Sequence, residues 1–439
     1  MNLQRVFFFL VFLSIIYACS EDDGSVTTPT LEVEGPEIVK PDSTISLAIT
    51  AVVPGLLAPD GIKGEIVSGE GNLLRTSLQG ENSVNGSATF DFTAGSMENT
   101  TTLIRISATD QTGQTGVKEV EIGITTLVIK QVLVLNEGNF FSANGTIDVF
   151  DIRDGTSETS AYQATATIQQ AVHYQDFIYL VTNAPDRLDV LNTDLELEQS
   201  VDQGLDNPID FAAIGNRGFV SNWGDINTAF TDNPDSFIAI VDLDNNTVID
   251  SVMLSARPQG LLAYDNKLYI ANEGGTTVSV LDPDNLSLTE VTVPAGPSDL
   301  VVDGEGMLWV LCTSGNLVEI DPDDLSLGSE IGGLTTGGFN EKMAIDGTGN
   351  TIYFLGGTNN SFTGLTTVYS VNLNTQQVVA FIENGFALYG IGVNPESNEV
   401  YLGDSNAFQS TGTGFRYDGE GNKLDEFPTG IGPRGFLFK

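Results

Sequence analysis

Short apolar runs separated by turn residues make up most of the chain, and residues 258–293 show this pattern at its most regular. Apolar and polar side chains alternate within each run, and Asp-Asn, Asn-Glu-Gly-Gly or Asp-Pro-Asp-Asn separates one run from the next. Such alternation between turn residues predicts antiparallel strands joined by tight turns. The four predicted strands are 260–264, 267–271, 277–281 and 288–293.

This four-stranded unit repeats along the chain. Its first two strands recur at 168–183, 208–222, 297–312, 341–357 and 389–404. Its third strand occurs seven times, at 146–151, 187–192, 237–242, 277–282, 316–321, 367–372 and 414–418. The units follow one another at intervals of about 45 residues, a period typical of propeller blades. The sequence therefore predicts an all-β fold with a seven-bladed β-propeller over residues 128–439.

The two ends of the repeat array complement each other. The first unit has a second strand at 132–139 but no clear first strand before it. The chain ends with residues 433–438 (PRGFLF), which repeat the Pro-x-Gly-apolar opening seen at 258–262. We therefore expect this C-terminal strand to form the innermost strand of the first blade. Such a latch closes the ring and leaves no exposed inner edge.

A leader segment precedes the folded part of the chain. Residues 1–18 combine Arg5 with an apolar run at 6–16, which is too short to span a bilayer comfortably, and predict a signal peptide. Ile-Tyr-Ala-Cys at 16–19 resembles a bacterial lipobox, which implies cleavage before Cys19 and acylation of that residue. The alternative is an ordinary secretory signal with a chance cysteine.

Residues 19–30 begin with the acidic run Ser-Glu-Asp-Asp and predict a polar tether. An acidic run after a lipidated cysteine resembles the signal that sends lipoproteins to the outer face of the outer membrane in some Gram-negative lineages. The expected location is therefore the cell surface, with the lipid anchor as the only membrane contact.

Residues 31–127 lack the repeat and predict a separate domain. Several short strands occur within about a hundred residues, and Asp-Gln-Thr-Gly at 110–113 predicts a hairpin loop. The pattern suits an immunoglobulin-like β-sandwich without the Cys…Trp…Cys core of antibody domains. We expect this domain to act as a spacer between the membrane and the propeller.

Composition narrows the classes of partner and site. The chain carries 59 acidic and 17 basic residues, a net charge of −42, which disfavours binding to nucleic acid or to anionic membrane surfaces. Cys312 is the only cysteine besides Cys19 and is expected to be a small core residue. His173 is the only histidine, so a His-rich zinc site is excluded, and we expect a core or channel position for it.

Two stretches place an Asn-Glu-Gly turn directly after a strand, namely 132–151 (VLVLNEGNFFSANGTIDVFD) and 268–282 (LYIANEGGTTVSVLD). They resemble the seven-bladed surface-lipoprotein propellers of the YVTN/YncE-like group, in particular its NEG-turn subset. That resemblance implies a TonB-dependent outer-membrane transporter as partner and a small-molecule ligand. Cobalamin or another corrinoid is the leading candidate as a bound ligand, and no resident cofactor is implied.

Four long loops between second and third strands bring aromatic residues to one face of the predicted propeller; they lie at 136–145, 223–235, 356–366 and 404–414. Such side chains either pack on the blade rims or form a cage for a flat ligand. For the whole set, the sequence favours ligand binding. The candidate residues are Phe140, Phe141, Trp223, Phe230, Phe362 and Phe408 from these loops, and Phe339 from the loop at 332–341.

Arg434 is a further candidate because it lies near the start of an innermost strand, at the mouth of the predicted channel. A guanidinium there could hold a phosphate or a carboxylate of a ligand. The alternative is an ion pair with Asp210, Asp299 or Glu341. The glutamates of the two Asn-Glu-Gly turns, Glu137 and Glu273, are expected to be chiefly structural.

The sequence therefore predicts a lipid-anchored binding protein, not an enzyme, that captures a small ligand and delivers it to a TonB-dependent transporter. Two alternatives remain. The first is a calcium-dependent lactonase-like propeller hydrolase that uses Asp210, Asp299 and Glu341, although such hydrolases usually have six blades. The second is a protein-interaction or adhesion propeller that uses the same face.

Overall fold

The structure is a computed structural model that describes residues 28–35, 38–39, 41–97, 100–124, 129–231, 234–337, 342–357 and 365–439. The chain divides into two compact units, 1–128 and 129–439, next to the boundary expected after residue 127. The predicted signal peptide, Cys19 and most of the predicted tether lie outside the described residues. Within the described ranges, no helix is both long and apolar enough to cross a membrane.

The N-terminal unit contains two four-stranded sheets, ordered β1-β3-β6-β5 and β2-β8-β7-β4. Its strands are β1 (Thr30–Glu34), β2 (Ile38–Val39), β3 (Thr44–Val52), β4 (Leu57–Ser68), β5 (Gly71–Gln79), β6 (Asn85–Ala94), β7 (Thr100–Asp110) and β8 (Thr115–Ile124). Side chains alternate between one buried face and one accessible face along β6 and β7. One core joins the two sheets, with Phe92 from one and Ile104 from the other fully buried, so the unit is a β-sandwich.

The predicted hairpin loop at 110–113 joins β7 to β8. The Asp110 carboxylate accepts the backbone N–H groups of Thr112 and Gln114, both at 2.9 Å. Gly113 adopts a φ of 88°, in the region that favours glycine. The turn residues therefore fix the register of the hairpin.

The C-terminal unit begins with strands β9 to β27. They are β9 (Gln131–Asn136), β10 (Thr146–Asp151), β11 (Ser157–Gln163), β12 (Thr167–Tyr174), β13 (Phe177–Asn183), β14 (Arg187–Asn192), β15 (Leu197–Val201), β16 (Pro208–Ile214), β17 (Arg217–Asn222), β18 (Phe237–Asp242), β19 (Thr247–Met253), β20 (Leu261–Tyr264), β21 (Lys267–Asn272), β22 (Thr277–Leu281), β23 (Leu288–Thr292), β24 (Pro297–Val302), β25 (Leu308–Cys312), β26 (Asn316–Ile320) and β27 (Leu327–Gly332).

The remaining strands are β28 (Met343–Ile345), β29 (Thr351–Gly356), β30 (Leu365–Asn372), β31 (Gln377–Val393), β32 (Val400–Asp404), β33 (Thr413–Tyr417), β34 (Lys423–Pro428) and β35 (Pro433–Phe438), with a short 3-10 helix at Asn406–Phe408. Strands β12 to β27 form consecutive four-stranded antiparallel sheets, and β28 to β34 form one seven-stranded sheet. In that sheet, β31 pairs with β30 along its first part and with β32 along its last part.

The first sheet of this unit takes its innermost strand from the C-terminus, in the order β11-β10-β9-β35. Phe436 lies opposite Val134 and Phe438 lies opposite Val132, so the C-terminal strand lies beside the strand at 132–136, as the sequence predicts. The backbone of Lys439 extends the ladder by accepting from Lys130 and Gln131. The chain terminus therefore closes this sheet.

The innermost strands of neighbouring sheets contact one another in the order β35, β12, β16, β20, β24, β28 and β31, and β31 returns to β35. Cores lie between consecutive sheets, where Tyr179 stacks on Phe211 with ring centroids 4.7 Å apart and Phe150 stacks on Phe427 at 4.1 Å. This arrangement of radial sheets around innermost strands is a β-propeller-like fold.

Candidate functional site

A break in register occurs near the start of several innermost strands and places one residue of each strand at the mouth of the channel. The residues at these breaks are Ile209, Ser298, Gln169, Tyr389 and Arg434. The second strands end at this same level, because the first residue of an innermost strand pairs with the last residue of the neighbouring second strand, as Pro208 pairs with Asn222. We call this end of the propeller, with its second-to-third-strand loops, the loop face.

Arg434 is buried in this ring and is held by side chains from three sheets. Its guanidinium forms an ion pair with Glu137 at 2.9 Å and donates to the Gln169 side-chain oxygen at 2.6 Å. The Tyr389 hydroxyl donates to the same Glu137 carboxylate, and the guanidinium carbon lies 5.9 Å from the Tyr389 ring centroid. Burial, reinforced by the charge of Glu137, raises the pKa of Tyr389, which keeps this hydroxyl a neutral donor.

The structure gives Arg434 an ion-pair partner that the sequence analysis did not name. The sequence offered an exogenous anion or an ion pair with Asp210, Asp299 or Glu341, whereas the residue that pairs with Arg434 is Glu137 of the first Asn-Glu-Gly turn. The turn follows β9, and β35 pairs with β9, so the latch brings residues 137 and 434 together. Glu341 lies outside the described residues.

Trp223 belongs to a second cluster that, like the first, contains a buried arginine paired with a glutamate. Arg257 forms a buried ion pair with Glu273 at 2.8 Å. Its guanidinium carbon lies 4.6 Å from the ring centroid of Trp223 and 4.6 Å from that of Phe230. The Trp223 indole N–H donates to the carbonyl of Pro258 at 2.8 Å. The half-buried Trp223 ring therefore packs against an arginine of its own chain.

Sequence reasoning did not single out Arg257 and assigned Glu137 and Glu273 no ion-pair partners. Two signals were present: the Asn-Glu-Gly turn occurs at 136–138 and at 272–274, and an arginine adjoins the proline of an innermost strand at both Arg257 and Arg434. The chain has only 17 basic residues, so the presence of two arginines beside such prolines is unusual and marks these two positions.

The other aromatic candidates are placed differently on the loop face. Phe140 is 61% exposed, Phe141 is 96% exposed, and their rings make an edge contact at 5.8 Å. Phe230 is 59% exposed although it contacts Trp223. Phe408 instead packs its ring edge against Tyr389 at 4.9 Å. Phe339 and Phe362 lie outside the described residues.

Two channel carboxylates connect innermost strands. Asp210 accepts the backbone N–H of Leu261 at 2.8 Å, and Asp299 accepts that of Met343 at 3.0 Å. Burial raises the pKa of Asp210 to about 6, with Asp299 adding to this rise and Lys342 opposing it. Among the described residues, no group of three acidic, histidine or cysteine side chains is arranged to hold a metal ion. The hydrogen bonds that Asp210 and Asp299 accept from neighbouring strands give both residues a structural role.

The raised pKa of Asp210 predicts a pH dependence of stability. The pKa of Asp210 in the folded protein, about 6, exceeds the ordinary value of 3.8, so folding favours the protonated carboxyl. The stability that this gives is fully present below pH 3.8 and is lost as pH rises through 6. Asp210→Asn keeps an acceptor for Leu261 and removes the titration. We expect its free energy of unfolding, relative to wild type, to rise by about 3 kcal/mol between pH 4 and pH 8.

Urea unfolding at a series of pH values measures this difference. Asp284→Asn, at an exposed turn, is the matched control and should show the same difference from wild type at every pH. A difference for Asp210→Asn that does not change with pH would contradict the assignment.

The lone histidine and cysteine take ordinary structural positions. His173 is exposed near the end of β12, so the expectation of a core or channel position is wrong. It lies at the end of the strand away from the loop face, and its neighbours Val172 and Tyr174, not His173, pack against the core between sheets. Cys312 is fully buried, as predicted, and burial raises its pKa to about 12, so the thiol stays protonated at neutral pH.

Residues 130–426 match the family described as a domain of unknown function (DUF5074). No curated protein matches the sequence. A solved structure of a quinonprotein alcohol dehydrogenase-like protein from Bacteroides thetaiotaomicron is similar, with 15% identity, a TM-score of 0.55, and 92% of this chain and 96% of that chain covered.

Hydrazine synthase from Kuenenia stuttgartiensis is 13% identical, with a TM-score of 0.49 over 59% of this chain and 85% of that chain. At 15% identity, the similarity to the Bacteroides structure concerns the fold alone, and that fold is propeller-like.

Proposed function

This chain belongs to the DUF5074 family, and we propose that it is a binding protein that captures a small ligand on the loop face of its propeller. The observation that carries the proposal is the exposure of Phe140, Phe141 and Phe230 on that face, where the charges of Arg257 and Arg434 are already paired. Aromatic side chains left in solvent cost free energy unless a ligand covers them.

We further infer that the propeller has seven blades. The long strand β31 would serve as the outermost strand of one blade and the innermost strand of the next, dividing the seven-stranded sheet into two blades. The two four-stranded sheets of the N-terminal unit support an immunoglobulin-like sandwich that acts as a spacer. The seven-bladed assignment agrees with the resemblance to the YVTN/YncE-like surface propellers, whereas the sandwich in front departs from the simplest version of that group.

The expected ligand has a broad apolar surface and polar edges. Phe140, Phe141 and Phe230 offer apolar area, and the neighbouring Asn, Ser and Thr side chains offer hydrogen-bonding partners. Because Arg434 and Arg257 are paired with glutamates, an anionic ligand gains no uncompensated positive charge there. A corrinoid such as cobalamin fits this description and is the first candidate by resemblance.

We propose that Cys19 carries the lipid anchor, that the protein lies on the outer surface of the outer membrane, and that it passes its ligand to a TonB-dependent transporter. The leader sequence and the resemblance support this part of the proposal. Labelling of cells with a clickable palmitate, followed by comparison of wild type with Cys19→Ala, tests the anchor. Equal labelling of both proteins would refute it.

A lactonase-like hydrolase is less well supported. Asp210 and Asp299 each hold the start of a neighbouring innermost strand through a backbone N–H. A role as metal ligands would require these carboxylates to serve both tasks. An adhesion or protein-interaction role for the loop face would use the same exposed aromatic side chains, and the binding experiment below separates it from ligand capture.

Isothermal titration of the lipid-free protein with cyanocobalamin tests ligand capture. We expect heat of binding at micromolar concentration, and we expect Phe140→Ser/Phe141→Ser to weaken the affinity by at least tenfold, about 1.4 kcal/mol. Both side chains are exposed, so the melting temperature should not change. Leu74→Ser, which removes a 60% exposed apolar side chain from β5, is the matched control.

The absence of heat with cyanocobalamin would remove this ligand. If a corrinoid binds equally well to wild type and to the double variant, the loop face is not the binding site. Retention of an intact transporter or other protein in a pull-down, without corrinoid binding, would favour the interaction role.

A further inference from the structure

An open groove of about 650 Å³ lies beside strand β19. Leu205, Phe237 and Met253 provide apolar surface in this groove, and Met253 is 59% exposed. Asp206, Asp235 and Asp250 also line it. No lysine or arginine is among the described residues that line the groove, which we call the acidic groove.

The carboxylates of Asp206 and Asp235 create a strongly negative environment at one end of the acidic groove. The pKa of Asp206 is raised by its partial burial and by the nearby charges of Asp186, Asp235 and Asp225. Each of these neighbours is an aspartate, so the groove has an excess of negative charge that a cationic partner would relieve.

The backbone of β19 is an edge, because this strand is the last one of its sheet. The Asp250 carboxylate accepts the N–H of Ser251 at 2.8 Å, which covers part of that edge. An additional strand would have to displace Asp250. Recognition in the groove is therefore expected to depend on side chains and not on the addition of a strand.

We propose that the acidic groove binds an extended basic segment of a partner protein, with lysine or arginine side chains around one apolar residue. The apolar residue packs on Leu205, Phe237 and Met253. The long stems of the basic side chains cover the apolar surface, and their charged ends reach Asp206 and Asp250. A second copy of this chain is a poor occupant, because each copy carries a net charge of −42.

The test uses a fluorescein-labelled peptide, KKALAKK, and the lipid-free protein in fluorescence anisotropy. We expect saturable binding that weakens when the central leucine of the peptide is replaced by alanine. Asp206→Asn/Asp250→Asn should weaken binding at least tenfold, and Met253→Ser at least fivefold. The amide oxygen at position 250 can still accept the N–H of Ser251, so the double variant should keep the fold.

Two matched controls separate the groove from the general acidity of the protein. Asp284→Asn/Asp323→Asn removes the same charge from exposed turns, and Leu327→Ser removes a 49% exposed apolar side chain from the outer strand β27. Both should change the affinity by less than twofold. Equal weakening by groove and control variants would overturn the proposal, because binding would then reflect net charge alone.

Calcium chloride and spermidine, each at constant ionic strength, are the competing small cations. If the groove binds a peptide, calcium chloride and spermidine should displace the labelled peptide no more effectively than sodium chloride does. Complete displacement by either at millimolar concentration, together with indifference to the leucine of the peptide, would identify a small-cation site and overturn the proposal.

Discussion

Removal of residues 433–439 is expected to lower the melting temperature of the chain by more than about 15 °C. β35 is the innermost strand of its sheet, so its loss leaves the inner edge of the buried strand β9 without a partner. Phe436 and Phe438 also pack against Tyr401 of another sheet. Together these losses approach the whole stability of a typical domain, about 5–15 kcal/mol.

Differential scanning calorimetry of the truncated protein measures this effect. A synthetic peptide of residues 431–439, added in excess, should restore a large part of the lost melting temperature, because it binds only the folded ring. A peptide of the same composition in scrambled order should restore nothing. A truncated protein that melts at the wild-type temperature would show that the latch does not hold the ring.

Replacement of Arg434 by methionine is expected to lower the free energy of unfolding by about 3 kcal/mol. The change leaves the Glu137 carboxylate, whose side chain is only 18% exposed, without its ionic partner. It also removes the donor to Gln169. Arg434→Met/Glu137→Gln should recover most of the loss, because neither charge then remains in the site.

Urea unfolding of both single variants and the double variant gives the coupling energy as a double-mutant cycle. Arg153→Met is the surface control; its ion pair with Asp151 is half exposed and should contribute less than about 1 kcal/mol. If Arg434 were an anion site, its replacement would leave stability nearly unchanged and would abolish stabilisation by added phosphate. That result would contradict the structural role.

The repeat architecture was readable from the sequence because its signal is local. Alternation of period two marks each strand, and Asp or Asn at the strand end closes the following turn. The predicted third strands at 146–151, 187–192 and 237–242 coincide with β10, β14 and β18. The complementary ends of the array likewise predicted the pairing of β35 with β9.

The site was only partly readable. The loops that carry Phe140, Phe141 and Phe230 were recognised as aromatic, and the structure leaves these side chains exposed. Glu137 was not among the partners considered for Arg434, because it lies 297 positions away and meets it only when the ring closes. Arg257 was overlooked because its contacts with Trp223 and Glu273 come from different turns.

The sequence by itself determined the all-β class, the repeating four-stranded unit and the origin of the closing strand, since each depends on neighbouring residues and on turn chemistry. Only the tertiary structure decided which charges meet. Burial makes an unpaired charge costly, and Arg257 and Arg434 are each paired with a glutamate. Closure of the ring brings Glu137 to Arg434, whereas Glu273 and Arg257 flank the same pair of strands, β20 and β21. The aromatic side chains were likewise placed by the tertiary structure: Trp223 and Phe230 pack against Arg257, while Phe140 and Phe141 stay exposed.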